Sequence, residues 1–230
     1  MSEDIKKNLR ASRLSELGLM TATLTHELRQ PLFAIRSLAQ LALAAKNGDE
    51  KRHLSSLLEQ TEALERIVEA VGAYAREDTG VLTPVDPNGP PQACVNLLAH
   101  RAKQKGVELV VKIDKTVPFA TGEPTALLQI LVNLVQNAID ASESGQRVWI
   151  RTGRHDGDVV MEVEDEGPGI PDELQERLFD PFFTTKGPNQ GTGLGLYLAR
   201  ELTARCRGEL TLCPNGTGAL FRLSLRPWMG

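Results

Sequence analysis

A chain of 230 residues with 41% apolar residues and few aromatics has room for one or two globular domains, and its net charge of −4 leaves no basic stripe for a nucleic acid. Its three cysteines, Cys94, Cys206 and Cys213, are too few and too irregularly spaced for a disulfide framework or a zinc site, which suits reduced thiols in the cytoplasm. No apolar run reaches the length of a membrane span and Met1–Arg10 lacks a signal-peptide core, so a soluble, cytoplasmic chain without membrane contact is expected.

In the first stretch Leu14, Leu17, Thr21, Leu24, Leu28, Pro31, Ile35, Leu38, Ala42 and Ala45 alternate steps of three and four, the seam of a bundled helix. The pattern predicts a helix to about Lys46, ended by the turn Asn47-Gly48-Asp49. A second helix carries its own seam, Leu54, Leu57, Thr61, Leu64, Val68, Val71 and Ala75. Two such helices joined by a tight turn make an antiparallel hairpin that cannot cover its own apolar stripe. A homodimer that closes a four-helix bundle is therefore expected.

Counting heptads from Leu14 puts His26 on the face turned away from that seam. On periodicity alone it reads equally well as an idle surface residue; its neighbours argue for chemistry. Glu27 is placed to take a ring proton and hold the tautomer. Gln30, one turn on and on the same side, is placed to orient a water or an incoming group, and Pro31 removes a helix hydrogen bond close by. An accessible neutral imidazole beside a base is a nucleophile.

Thr79-Gly80, Pro84, Pro87, Gly89, Pro90 and Pro91 break the helical pattern, which predicts a linker near 78–90 between a hairpin domain, 1–80, and a second domain, 81–230. The second domain reads as helix 91–105, strand Val107–Ile113, an apolar helix Glu123–Ser142, a hairpin of Arg147–Thr152 and Val159–Val163, a short helix Asp172–Leu178, a Gly/Pro-rich loop 182–192, helix Gly193–Cys206, and closing strands Glu209–Cys213 and Ala219–Leu225. Mostly antiparallel strands mixed with helices predict an α/β sandwich, and an α+β chain overall.

Four stretches of this domain carry candidate chemistry. Asn133 and Asn137 fall four apart on one face of an otherwise apolar helix, where amides need a partner; magnesium with substrate phosphates is one, structural hydrogen bonding the other. Asp165-Glu166-Gly167-Pro168-Gly169 ends a strand with a carboxylate able to accept from an exocyclic amine and glycines that admit a flat ligand, although Asp-x-Gly is also an everyday turn. Phe179, Phe182 and Phe183 precede Thr185 and Lys186, reading either as an anchored lid with a cation for phosphate or as a core cluster. Gly191-Thr192-Gly193-Leu194-Gly195 opens a helix whose N–H groups suit a phosphate, without the spacing of a P-loop.

The run His26-Glu27-Leu28-Arg29-Gln30-Pro31-Leu32 resembles the phospho-accepting box of two-component sensor histidine kinases, and the four later stretches resemble, in order, the asparagine, first glycine, phenylalanine and second glycine boxes of that family's ATP-binding domain. The resemblance covers the chain from about Leu9 onward. It implies an ATP-binding domain of the Bergerat type, shared with gyrase B, Hsp90 and MutL. It also implies that Asn137 ligates magnesium, that Asn133 contacts phosphate, that Asp165 accepts from the adenine amine, and that the loop around Thr185 and Lys186 is the lid over ATP. His26 would take the γ-phosphoryl group and pass it to an aspartate of a response-regulator receiver domain docked near Phe33, Arg36, Ser37 and Gln40. Gln30 departs from the threonine or asparagine that many relatives place there, and its role in hydrolysing the regulator's phosphate is an expectation for that surface rather than a match to the family's pattern. The lid is short, and Gly216-Thr217-Gly218-Ala219 has alanine where many relatives carry a hydroxyl residue. A mechanical ATPase without a phosphorylated residue, and a non-catalytic scaffold, are the competing readings.

Overall fold

The structure is a computed structural model that describes residues 21–44, 52–58, 60, 61, 64, 68, 82–186 and 193–229. The chain divides into two units, Met1–Glu77 with Phe182–Leu194, and Asp78–Pro181 with Gly195–Gly230.

In the first unit, helix α1 (Thr21–Ala44) runs unbroken through Pro31. The expected seam is visible in its exposure. Pro31 is buried and Leu28, Ile35, Leu38 and Ala42 are half-buried, whereas Phe33 is 71% exposed and Leu43 90%. Residues 52–58 are helical as well, and the Thr61 hydroxyl donates to the Leu57 carbonyl at 3.0 Å. Leu57 and Leu64 are half-buried, but Leu54 and Val68, also on the expected seam, are 54% and 59% exposed. A single copy thus leaves part of the apolar stripe uncovered, the expectation for a stem that pairs with another. Leu14, Leu17, Val71, Ala75 and the turn Asn47-Gly48-Asp49 lie outside the described residues.

The second unit is a sheet covered on one face by helices. Strand β1 (Thr83–Val85) leads into helix α2 (Gly89–Lys105), then strands β2 (Glu108–Lys112) and β3 (Ala120–Gly122) and helix α3 (Pro124–Ala141). Strands β4 (Arg147–His155) and β5 (Asp158–Asp165), a short helix α4 (Asp172–Gln175), helix α5 (Gly195–Arg205), and strands β6 (Glu209–Cys213) and β7 (Leu220–Leu225) complete it. Among the described residues the main sheet has the order β2-β4-β5-β7-β6, with only β2 and β4 parallel, and β1 pairs with β3 in a separate ribbon.

The stretch 78–90 reads as a linker, yet Thr83–Val85 form β1 and Gly89 opens α2. The prolines that break the helical pattern fit these places. Pro84 sits in a ribbon strand that has one neighbour, and Pro90 and Pro91 occupy the first turn of α2, where backbone N–H groups have no helical partner anyway. Helix α5 begins at Gly195 rather than Gly193, and α4 stops at Gln175 rather than Leu178.

Helix α3 is the centre of the core. It packs between α2 and α5 and upon β5, and Leu127, Ile130, Leu131, Leu134 and Ile139 are fully buried. Truncating one of them to alanine is expected to cost about 3–5 kcal/mol. Alternation along the strands sends Val148, Ile150, Val163, Phe221, Leu223 and Leu225 under the helices. The other face is polar: Arg222 pairs with Glu162 at 2.8 Å, Arg151 pairs with Glu164, and Trp149 lies between the guanidiniums of Arg147 and Arg151, 4.8 and 5.6 Å from its ring centre. Asp156 and Gly157, with φ of 50° and 92°, make the tight β4–β5 turn, and the resulting register sets Asp165 opposite Val148 at the strand's end.

Candidate functional site

Helix α3 brings its two asparagines to the N-terminus of α5. A β-carbon placed on Gly195 would lie 3.7 Å from Asn137 Nδ2 and 3.9 Å from Asn133 Oδ1, ordinary contact distances that set both amides beside the start of α5. Asn133 is only 4% exposed, and its Nδ2 has no hydrogen-bond partner among the described residues. A buried amide donor left open costs the fold free energy, and it is the feature a phosphate oxygen would satisfy. The N-terminus of α5 turns the positive end of that helix toward the same place.

Asp165 ends β5, also only 4% exposed. Its Oδ1 accepts the backbone N–H of Gly167 at 2.9 Å and of Ala219 at 3.2 Å. Burial nonetheless pushes its carboxyl above the ordinary aspartate range, outweighing the two donors, which pull it down. Such a carboxylate gains from one more donor. The loop that follows lies directly on the end of α3: a β-carbon on Gly167 would stand 2.9 Å from the Ala141 carbonyl oxygen and 2.9 Å from Asp165 Oδ1, which is why the turn needs glycine. Gly169 has a left-handed φ of +75°.

Asn133, Asn137, Asp165, Gly167 and Gly195 therefore gather around the C-terminal half of α3, and Gly169 lies against Gly218. Thr185 is exposed and Lys186 half-buried in the segment after α4, where the Lys186 N–H donates to the Thr184 hydroxyl at 3.1 Å. Gly193 takes a left-handed φ of +67°, and Leu194 is buried. Gly191 and Thr192 lie outside the described residues. His26, Glu27 and Gln30 belong to α1, and their side chains likewise lie outside the described residues.

Sequence reasoning missed three contributors. Gly218-Ala219, where a missing hydroxyl left any contact in doubt, reaches Asp165 through its backbone instead. Arg147 grips Glu166 with Nη2 at 2.8 Å and its backbone N–H at 2.8 Å, holding that carboxyl below its ordinary range. The Gln146 amide donates to the Glu166 carbonyl at 2.8 Å. A backbone contact leaves no trace in side-chain identity, and the other two join residues about twenty apart, so only a view of the β4–β5 pairing would have found them.

Residues 122–228 match the family described as histidine kinase-, DNA gyrase B-, and HSP90-like ATPase, and residues 16–80 match the His Kinase A (phospho-acceptor) domain. The chain is 32% identical over 227 residues to the two-component sensor PprA of Pseudomonas aeruginosa, a match covering 93% of this chain and 25% of that protein. It is 30% identical over 227 residues to the signal transduction histidine-protein kinase AtoS of Escherichia coli, covering 97% of this chain and 37% of that protein. Among solved structures, the histidine kinase ThkA in complex with the response regulator protein TrrA matches with a TM-score of 0.76 and 26% identity, over 97% of this chain and 65% of that one. The chain spans well under half the length of the two sensor proteins.

Proposed function

We infer the activity from the family: the chain belongs to the two-component sensor histidine kinases. It is an ATP-dependent protein-histidine kinase that phosphorylates its own His26 and passes the phosphoryl group to an aspartate on a response-regulator receiver domain. The observation that carries this reading is the buried Asn133 amide, open on its nitrogen and set beside Asn137 and Gly195.

In this reading ATP lies along the C-terminal half of α3. The adenine amine donates to Asp165, Gly167 and Gly169 let the base approach, and Asn133 Nδ2 and the N-terminus of α5 at Gly195 hold phosphate oxygens. Gly191, Thr192, Thr185 and Lys186 are taken as ATP contacts from the family resemblance alone, with Lys186 adding charge. The donor set also fits a magnesium ion, because the Asn137 amide oxygen is the hard ligand such an ion takes alongside phosphates and waters; when bound it would neutralise charge between the phosphates.

At His26, Glu27 accepts the proton of one ring nitrogen while the other attacks the γ-phosphorus in line. The bond to the β-phosphate oxygen breaks and ADP leaves. Residues 1–80 act as a dimeric stem and 81–230 as the nucleotide-binding domain. Phe33, Arg36 and Gln40, exposed on α1, suit a receiver domain docked near the phosphohistidine, and Gln30 would place a water for the reverse hydrolysis of the regulator's phosphate.

Incubation with γ-labelled ATP tests the assignment. Acid-labile label is expected on the unmutated protein, none on His26→Ala, and strongly reduced label on Asn137→Ala. Label retained by His26→Ala would end the nucleophile assignment.

A further inference from the structure

We propose that Gln146 is a positioning residue for base recognition, a role that rests on the reading of Asp165 as the acceptor of the adenine amine. Its side chain spans the two halves of the site. Oε1 accepts the Glu143 N–H at 2.6 Å, two residues beyond the end of α3, and Nε2 donates to the Glu166 carbonyl at 2.8 Å. The backbone of Gln146 is itself fixed, its N–H donating to the Glu143 carbonyl at 3.1 Å and its carbonyl accepting the Glu108 N–H at 2.9 Å, so both ends of the amide work from a rigid base.

The consequence follows from the planarity of the peptide bond. The Glu166 carbonyl that Gln146 holds and the Gly167 N–H that donates to Asp165 Oδ1 at 2.9 Å belong to one peptide unit. They point in opposite directions across a single rigid plane. Rotating that plane breaks both bonds together, and releases the carboxylate from one of its two backbone donors. Gln146 therefore sets the direction of Asp165 from behind, and ties it to the end of the helix that carries Asn133 and Asn137. The Arg147–Glu166 pair grips the same residue through its side chain, at an exposed position where such pairs stabilise little and do not hold the peptide plane.

The test uses ADP and IDP, which differ by the amine that Asp165 accepts, a carbonyl taking its place in IDP. Dissociation constants of both are measured by calorimetry on the full chain for the unmutated protein, Gln146→Glu, Gln146→Met and Asp165→Asn. The unmutated protein is expected to prefer ADP and Asp165→Asn to lose that preference. Gln146→Glu keeps the acceptor and removes the donor, Gln146→Met removes both without adding charge, and each is expected to cut the ADP preference at least fivefold. Loosening of the fold alone would weaken ADP and IDP in parallel, and an unchanged ratio in both variants overturns the proposal. Absence of any preference in the unmutated protein, or a preference intact in Asp165→Asn, overturns the adenine reading and the proposal with it. As a readout independent of binding, the Gly167 amide is expected to exchange its hydrogen at least tenfold faster in Gln146→Met; unchanged exchange counts against the proposal.

Discussion

Asp165 and Ala219 are joined by two hydrogen bonds. The Asp165 N–H donates to the Ala219 carbonyl at 3.0 Å, and the Ala219 N–H donates to the Asp165 carboxylate at 3.2 Å. The β6–β7 loop thereby becomes the wall behind Asp165, through its backbone and not through its side chains.

Gly218 makes that wall possible. It has a left-handed φ of +73°, and a β-carbon there would fall 1.8 Å from the Asp165 carbonyl oxygen. Gly218→Ala is expected to cost about 3 kcal/mol or more, from backbone strain together with a clash that only main-chain movement relieves, and to abolish ADP binding. Gly216→Ala, two residues away with open space around the site of its β-carbon, should stay within about 0.5 kcal/mol of the unmutated protein. Thermal unfolding of the pair, with and without ADP, checks the contrast.

Binding of ADP should depend on pH through Asp165. Its pKa is raised by burial, so the charged form burdens the nucleotide-free fold: the stability linked to this group is present below the ordinary carboxylate pKa and is lost as pH rises through the raised one. A donor arriving from adenine favours the charged form. Affinity for ADP is therefore expected to climb with pH across the same window, by at most about tenfold per pH unit, and to level off above it. The slope should vanish in Asp165→Asn; calorimetry across the acid range measures both.

The open amide of Asn133 predicts a separation of stability from binding. Asn133→Leu keeps a branched side chain of similar size and removes a buried donor that has no partner among the described residues. Without ligand its thermal midpoint should be unchanged or raised, by the equivalent of up to about 1 kcal/mol, while the midpoint shift produced by ADP is lost. A large fall in the ligand-free midpoint would mean that the amide is structural.

The three thiols should differ in reactivity. Cys94 is fully buried and its thiol is pushed up to about 12; Cys206 is buried too, and Cys213 is half-exposed beside the β6–β7 loop. One thiol per chain should react quickly with a disulfide reagent under native conditions, and three after unfolding. Cys213→Ser should remove the fast phase.

Much of this was legible in the amino-acid order alone. The two stem seams, the apolar helix with its paired asparagines, and the glycine-rich turns are local patterns, each written within one element by the repeat of a helix or the demands of a turn. The short ribbon β1–β3 escaped because three-residue strands are too brief to show alternation, and because Pro84, Pro90 and Pro91 read as breakers until their edge-strand and first-turn places were known. What only the tertiary structure decided is how Asp165 is held. Its partners in that task, Gln146 and Ala219, stand about twenty and 54 residues away, brought up by strand pairing and by the packing of a loop on a helix end. Residue order records the elements because their periodicities are local; it leaves these contacts unwritten because a hydrogen bond between distant backbones depends on where the chain returns, not on which residues stand next to each other.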